Sequence, residues 1–213
     1  MHSIASPKTL TEATEHLSRV DDVLGPIIVL AGPPHFNPHR NYYQSLVESI
    51  VSQQLSVKAA ATILRRFIEL FPDTPFPTPA QILSKDIEEL RSVGLSRQKG
   101  TYIQDLAVKV IEGTVKFNHL DELSNEEVVA ELTQVKGVGV WTVHMFLMFC
   151  MGRLDVLPTG DLGIKNGMQA LYDLKEKPSP EEMESIAAER QWHPYESVAS
   201  WYVWHSLDNK PVL

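Results

Sequence analysis

Apolar positions recur at three- and four-residue steps through most of this chain. Leu46, Ile50 and Val51 form one stripe, and Ala60, Ile63, Leu64, Phe67 and Ile68 form a second. Both have the spacing of a helix face. The Pro-rich stretch Phe71 to Pro79 interrupts the pattern, as proline must. It resumes over Ser96 to Glu112, with Ile103, Leu106, Ala107 and Val110 on one side and Gly113 placed as a stop. Ser124 with Glu127 reads as a capping box, and Ser179-Pro180 with Glu182 as another. No alternating run of Val, Ile and Thr suggests a sheet. Ile27 to Leu30 comes nearest and is too short to decide. Gly32 to Arg40, with three prolines, reads as a loop. The pattern predicts an all-α fold.

Leu132 to Gly152 is the most informative segment. A helix ends, a tight turn Gly137-Val138-Gly139 follows, and a second helix runs to about Gly152. Two glycines around Val138 permit positive backbone dihedrals and leave amides uncovered. The second helix then opens with free N–H groups and a positive dipole end, which suit a phosphate. Val140 to Met151 is apolar nearly all round, broken by Thr142 and His144. Such a helix is expected to be a buried spine, with His144 a core histidine. An ordinary helix–turn–helix connection accounts for the same residues, since a lone GxG is weak.

Composition changes this picture in one respect. The 213 residues carry a formal charge of −8, whereas nucleic-acid binders usually present a basic face. The acids gather in Asp121 to Glu131 and Glu176 to Glu189, and none lies between Lys136 and Arg153. Lys136, Arg153 and Lys165 fall in or near the hairpin. Backbone amides can position DNA on an otherwise acidic surface. The one cysteine, Cys150, excludes a disulfide framework and a four-cysteine iron–sulfur cluster. No apolar run spans a bilayer, and the N-terminus has no secretion-signal pattern. An intracellular protein is expected, cytoplasmic in a bacterium and nuclear in a eukaryote. His35 and His39 sit four apart on the proline-rich loop with no neighbouring cysteine, and read as surface histidines rather than zinc ligands.

Downstream of the hairpin, Leu157 to Ile164 reads LPTGDLGI. Proline and glycine break the chain, and Asp161 stands where a new helix begins. Aspartate is a favoured N-cap, contributing about 1 kcal/mol.

Five segments occur in a fixed order: Ile50 to Ser56, Gly94-Leu95-Ser96 with Lys99, Val135 to Thr142, Asp161-Leu162-Gly163, and Trp192 to Tyr195 through Ala199 to Trp204. Together, over roughly residues 40 to 206, they resemble the 3-methyladenine DNA glycosylase II family of the helix-hairpin-helix glycosylases. The first 40 residues match weakly. The resemblance implies one glycosylase module over residues 1–213, with two helical lobes around a cleft and the hairpin at about 132–152. It implies a monomer that acts on duplex DNA carrying a damaged base, without a membrane.

By the same resemblance Asp161 is the catalytic aspartate. Breaking an N-glycosidic bond gives the sugar oxocarbenium character, which a fixed carboxylate stabilises. An alkylated purine is already cationic and leaves neutral, so no strong general acid is needed. Bifunctional relatives carry a lysine two residues after the second hairpin glycine. Trp141 stands there, so no Schiff base is expected and the enzyme is monofunctional, with no cofactor required.

The flipped base needs aromatic faces. Trp141, Trp192 and Tyr202 are the candidates, with Trp201 and Trp204 read as core packing. Gln53, Gln54, Leu55 and Ser56 form the loop that would fill the gap in the duplex, unless Leu55 packs inward. Lys136, Gly137, Val138, Gly139 and Thr142 would grip the backbone. The family hairpin also holds a structural monovalent cation, by position through the carbonyls of Thr133, Val135 and Val138. Two other readings stay open. One is a non-catalytic hairpin scaffold for distorted or abasic duplex; the other is a glycosylase for oxidised or deaminated purines.

Overall fold

A computed structural model describes residues 2–208. Its helices are α1 (Pro7–Val20), α2 (Leu24–Ala31), α3 (Tyr42–Ser52), α4 (Val57–Glu69), α5 (Pro79–Leu83), α6 (Ile87–Ser92), α7 (Arg97–Ile111), α8 (Asn125–Leu132), α9 (Val140–Met145), α10 (Leu162–Leu171), α11 (Pro180–Glu189) and α12 (Glu196–Asp208). A 3₁₀ turn covers Leu120–Glu122, and a π turn, Phe146–Cys150, continues α9. The nearest thing to a strand among the described residues is one isolated antiparallel bridge, Ile4 to Arg153. The all-α expectation holds. The ambiguous Ile27 to Leu30 run lies inside α2, whose Val29 and Leu30 are exposed. No described helix is long and apolar enough to cross a membrane.

Local chemistry explains most helix starts. Ser6, Thr78, Asp86, Ser124 and Ser179 each close a reciprocal capping box with the residue three positions on. Ser96 caps α7 by accepting the Lys99 amide, and Gly113 follows the helix at φ +74°.

The chain divides into two compact units, residues 1–40 with 144–213, and residues 41–143. In the 41–143 unit, α7 packs against α3, α5 and α6. Its Gly100, Ile103, Leu106 and Ala107 are buried, as are Leu46, Ile50 and Val51 of α3. Fully burying a side chain of this size stabilises by about 1.5–3 kcal/mol, so α7 is fixed by the core rather than by its own propensity.

The other unit is assembled from both ends of the chain. α12 packs on α1, α2 and α10, around a core containing Leu17, Leu24, Met168, Trp192, Tyr202 and Val203. A Cβ at Gly167 would come within 2.8 Å of the Val203 carbonyl, so glycine is what lets α10 and α12 meet this closely. The buried Asp21 carboxylate organises the far side. It accepts the amides of Val23 and Leu24, the Tyr172 hydroxyl and the Trp192 indole N–H.

The hairpin spine departs from its sequence reading. The α-helical part of Val140 to Met151 is only six residues, followed by the π turn, in which Met151 N–H reaches the Phe146 carbonyl at 3.0 Å. Val140, Trp141 and Phe149 remain exposed while Thr142, Val143 and Phe146 to Met148 are buried. Within the π turn Phe149 stays partly exposed while its neighbours Leu147, Met148 and Cys150 are buried.

Candidate functional site

Two groups of residues carry chemistry, one in each unit. In the 41–143 unit, α3 runs out at Ser52. Gln53 follows at φ −48°, ψ 130°, then Gln54 at φ +56°, and the Leu55 amide closes on the Ser52 carbonyl at 3.2 Å. This is a type II turn, whose third position favours glycine. Gln54 occupies it instead, in a left-handed conformation that costs about 1–3 kcal/mol and persists only where the surroundings enforce it. The surroundings do so. Lys99 donates to the carbonyls of Val51 at 2.8 Å and Gln53 at 2.6 Å, and Gln53 Nε2 donates to the Gly137 carbonyl at 2.9 Å. Burial holds Lys99 below the usual lysine range. Leu55 is 38% exposed rather than packed inward, and Ser56 caps α4 through the Ala59 amide.

The hairpin turn is held from α7. Gly137 adopts φ +79°, and a Cβ there would lie 2.0 Å from the Tyr102 ring. Gly137 therefore combines a glycine-only conformation with a steric demand. Gly139 has neither a positive φ nor any atom near its Cβ position. Its contribution is open space at the start of α9, not backbone freedom as the sequence suggested. Asp105 accepts the Lys136 amide at 2.9 Å and pairs with the Lys136 ammonium at 3.3 Å. Val138 is buried and its amide donates to the Val135 carbonyl at 3.1 Å. Thr133 directs its hydroxyl to the Val129 carbonyl.

Gln53, Gln54, Leu55, Lys99, Tyr102, Gly137, Trp141 and Thr142 line one pocket of about 710 Å³. Trp141 is 47% exposed, whereas Thr142 is buried. The structure thus brings the loop and the hairpin together, with Lys99 and Tyr102 between them. Sequence reasoning used Lys99 only as part of a motif and missed Tyr102. The i, i+3 spacing from Lys99 to Tyr102 to Asp105 was the available signal.

In the other unit Asp161 N-caps α10. Its Oδ1 accepts the Ile164 amide at 2.8 Å and the Trp204 indole N–H at 2.9 Å, and the residue is 9% exposed. Gly163 makes the second bond possible. A Cβ there would lie 2.9 Å from both Cδ1 and Nε1 of Trp204. Trp204 in turn stacks on Phe149 at 6.0 Å, and Phe149 on Phe36 at 5.5 Å. Trp204 is therefore a partner of the carboxylate and not simply core. The π turn that places Phe149 left no mark in the apolar pattern.

Other expectations are corrected. Trp192 is fully buried with its N–H committed to Asp21, and Tyr202 is fully buried with its hydroxyl donated to the Gly32 carbonyl. Neither ring offers a face to a flipped base, because both faces are used by the core. Arg153, read as a cation near the hairpin, is buried and joined to His2. Cys150 Sγ lies 3.9 Å from His39 Nδ1, a proximity that a separation of 111 residues conceals. Among the described residues no three metal-ligating side chains converge.

Residues 47–192 match the HhH-GPD superfamily base excision DNA repair protein family. DNA-3-methyladenine glycosylase 1 of Schizosaccharomyces pombe is 36% identical over 202 residues, 92% of this chain and 87% of that protein. The structure of S. pombe 3-methyladenine DNA glycosylase in complex with abasic DNA superposes with a TM-score of 0.78 at 34% identity, covering 93% of this chain and 98% of that one. The crystal structure of a DNA-3-methyladenine glycosidase from Bacillus halodurans gives a TM-score of 0.80 at 35% identity, covering 97% and 92%. The chain belongs to the HhH-GPD superfamily of base excision DNA repair proteins, and within it to the 3-methyladenine DNA glycosylases.

Proposed function

We infer that this protein hydrolyses the N-glycosidic bond of alkylated purines such as 3-methyladenine in duplex DNA and leaves an abasic site. One observation carries the reading: a buried carboxylate, Asp161, fixed on Oδ1 by a helix amide and an indole N–H. A carboxylate held in this way needs little reorganisation when positive charge develops on the sugar. The alkylated base departs as a neutral molecule, so Asp161 stabilises the oxocarbenium and orients water without donating a proton. Trp141, exposed and lining the pocket beside the hairpin, supplies a π face for a cationic base. With Trp141 at the position after Gly139-Val140, there is no amine to form a Schiff base.

The hairpin amides other than those of Lys136 and Val138, which Asp105 and the Val135 carbonyl already take, grip phosphate, and the turn bearing Gln54 and Leu55 fills the space the base vacates. Open space around Gly139 supports the first assignment, and exposure of Leu55 the second. The monovalent cation that the family hairpin implies would be held through the carbonyls of Thr133, Val135 and Val138, of which the Val135 carbonyl also accepts the Val138 amide. The donor set there is neutral oxygen, suited to a hard ion of low charge. When bound, it would stiffen the turn that presents these amides.

The test is base release from methylated duplex DNA by the wild type and by Asp161→Asn. Asparagine caps a helix about as well as aspartate, so the fold is kept while the charge is lost. We expect release of methylpurines by the wild type and a loss of about 100-fold or more in the variant. DNA binding without release of any base by the wild type points instead to the non-catalytic scaffold or another lesion.

A further inference from the structure

α7 presents two faces with different tasks. Gly100, Ile103, Leu106 and Ala107 are locked into the core of the 41–143 unit. On the neighbouring flank, Lys99, Tyr102 and Asp105 follow one another at three-residue steps and lie one above the next. Each meets a different part of the two DNA-facing turns. Lys99 holds the carbonyls of Val51 and Gln53, Tyr102 packs where Gly137 leaves room, and Asp105 takes the Lys136 amide. Gln53 then ties one turn directly to the other through the Gly137 carbonyl. The last carbonyls of α3 are thereby satisfied by a cation, the favoured charge at a helix C-terminus.

We propose that Lys99 is a positioning residue for duplex opening: its ammonium holds the Ser52–Leu55 turn in the strained form that carries Gln54 and Leu55, in fixed register with the hairpin. The proposal rests on the reading that this turn enters the duplex. Lys99 itself makes no contact with the scissile bond in this account. Its neighbours explain why lysine is needed. A neutral side chain of the same length has no donor for two carbonyls, and the Gln54 backbone then relaxes toward ordinary dihedrals. Loss of the register withdraws the intercalating side chains from the gap they fill. A misplacement of about 1 Å is enough to cost on the order of 100-fold in a step that depends on geometry.

The experiment compares Lys99→Met and, as an independent break of the same linkage, Gln53→Ala. Thermal unfolding checks that each variant is folded. Base release is measured on methylated duplex in which the lesion is paired, and on the same strand with the lesion opposite an abasic site, where little opening work remains. In parallel, 2-aminopurine fluorescence beside the lesion reports opening without any need for catalysis. We expect both variants to lose about 10-fold or more on the paired substrate, much less on the pre-opened one, and to lower the fluorescence rise. Equal losses on both substrates with an unchanged fluorescence rise overturn the proposal, since a merely structural lysine behaves that way. If the wild type opens the duplex but releases no base, the glycosylase reading fails while fluorescence still decides the role of Lys99. If the wild type does neither, both are overturned.

Discussion

The two units hold their candidate functional residues by opposite means. In residues 41–143 the working turn breaks local rules: a glutamine stands at φ +56°, and two side-chain donors, Lys99 Nζ and Gln53 Nε2, hold the turn there. In the other unit Asp161 obeys them, since an aspartate at a helix N-cap is what local propensity already favours. The strained turn announces itself once the backbone is known, because strain must be maintained by something. The compliant aspartate is hidden by its own good behaviour. Its environment distinguishes it, through a tryptophan that reaches in from α12 and a glycine that makes way for it.

That contrast can be broken at four points. The largest effect is expected at Gly137→Ala, where a methyl group meets the Tyr102 ring and the residue keeps a positive φ. A loss of about 2–4 kcal/mol in chemical denaturation is expected; little change would mean that Tyr102 swings away freely. Next is Trp204→Phe, which keeps a ring against Phe149 and removes the N–H. Steady-state kinetics should show kcat falling about 10-fold with KM nearly unchanged. A KM effect alone would make Trp204 a binding group rather than the keeper of Asp161. Smaller still is Gln54→Gly. Relief of strain and added unfolded-state entropy oppose each other, leaving stability within about 0.5 kcal/mol, whereas Gln54→Val should cost about 1–2 kcal/mol.

The smallest effect concerns His144. Burial holds its pKa below the ordinary histidine value, and its Nδ1 has no hydrogen-bond partner among the described residues. The unfolded chain therefore takes up a proton near the usual value of about 6.5 while the folded one resists. The stabilisation is complete above that pH and is lost as pH falls toward the lowered folded value. His144→Leu should flatten the decline in Tm between about pH 7 and pH 5; an unchanged slope would assign that decline to other groups.

Much of the fold was legible. Capping residues are local signals, so Ser96, Ser124 and Ser179 marked true helix starts. The N-cap position of Asp161 was legible for the same reason. α1 was not anticipated, because its capping box closes with threonine at the third position instead of the usual glutamate or glutamine. Aromatic residues were the weakest ground. Trp192, Tyr202 and Trp204 look alike in an apolar pattern, yet the first two are sealed in the core and the third meets the carboxylate. Their difference is set by partners more than 40 residues away, Asp21, Gly32 and Asp161. Charge misled in a similar way, since Arg153 reads as a cation near the hairpin and is buried against His2.

The division of the chain has a consequence for the order of folding. Residues 41–143 are contiguous and can gather their core as soon as they are synthesised, whereas the unit that bears Asp161 must wait for both ends. Joining those ends closes a loop of about 100 residues, yet the penalty grows only logarithmically, by about 0.6 kcal/mol for each doubling. Nascent chains should therefore own a finished hairpin turn, with Gly137 seated against Tyr102, before they own a placed carboxylate. By the same topology, damage to α1, which packs on α12, is transmitted to the helix that carries Trp204. The N-terminal helix, far from Asp161 in sequence, is part of what keeps that residue in place.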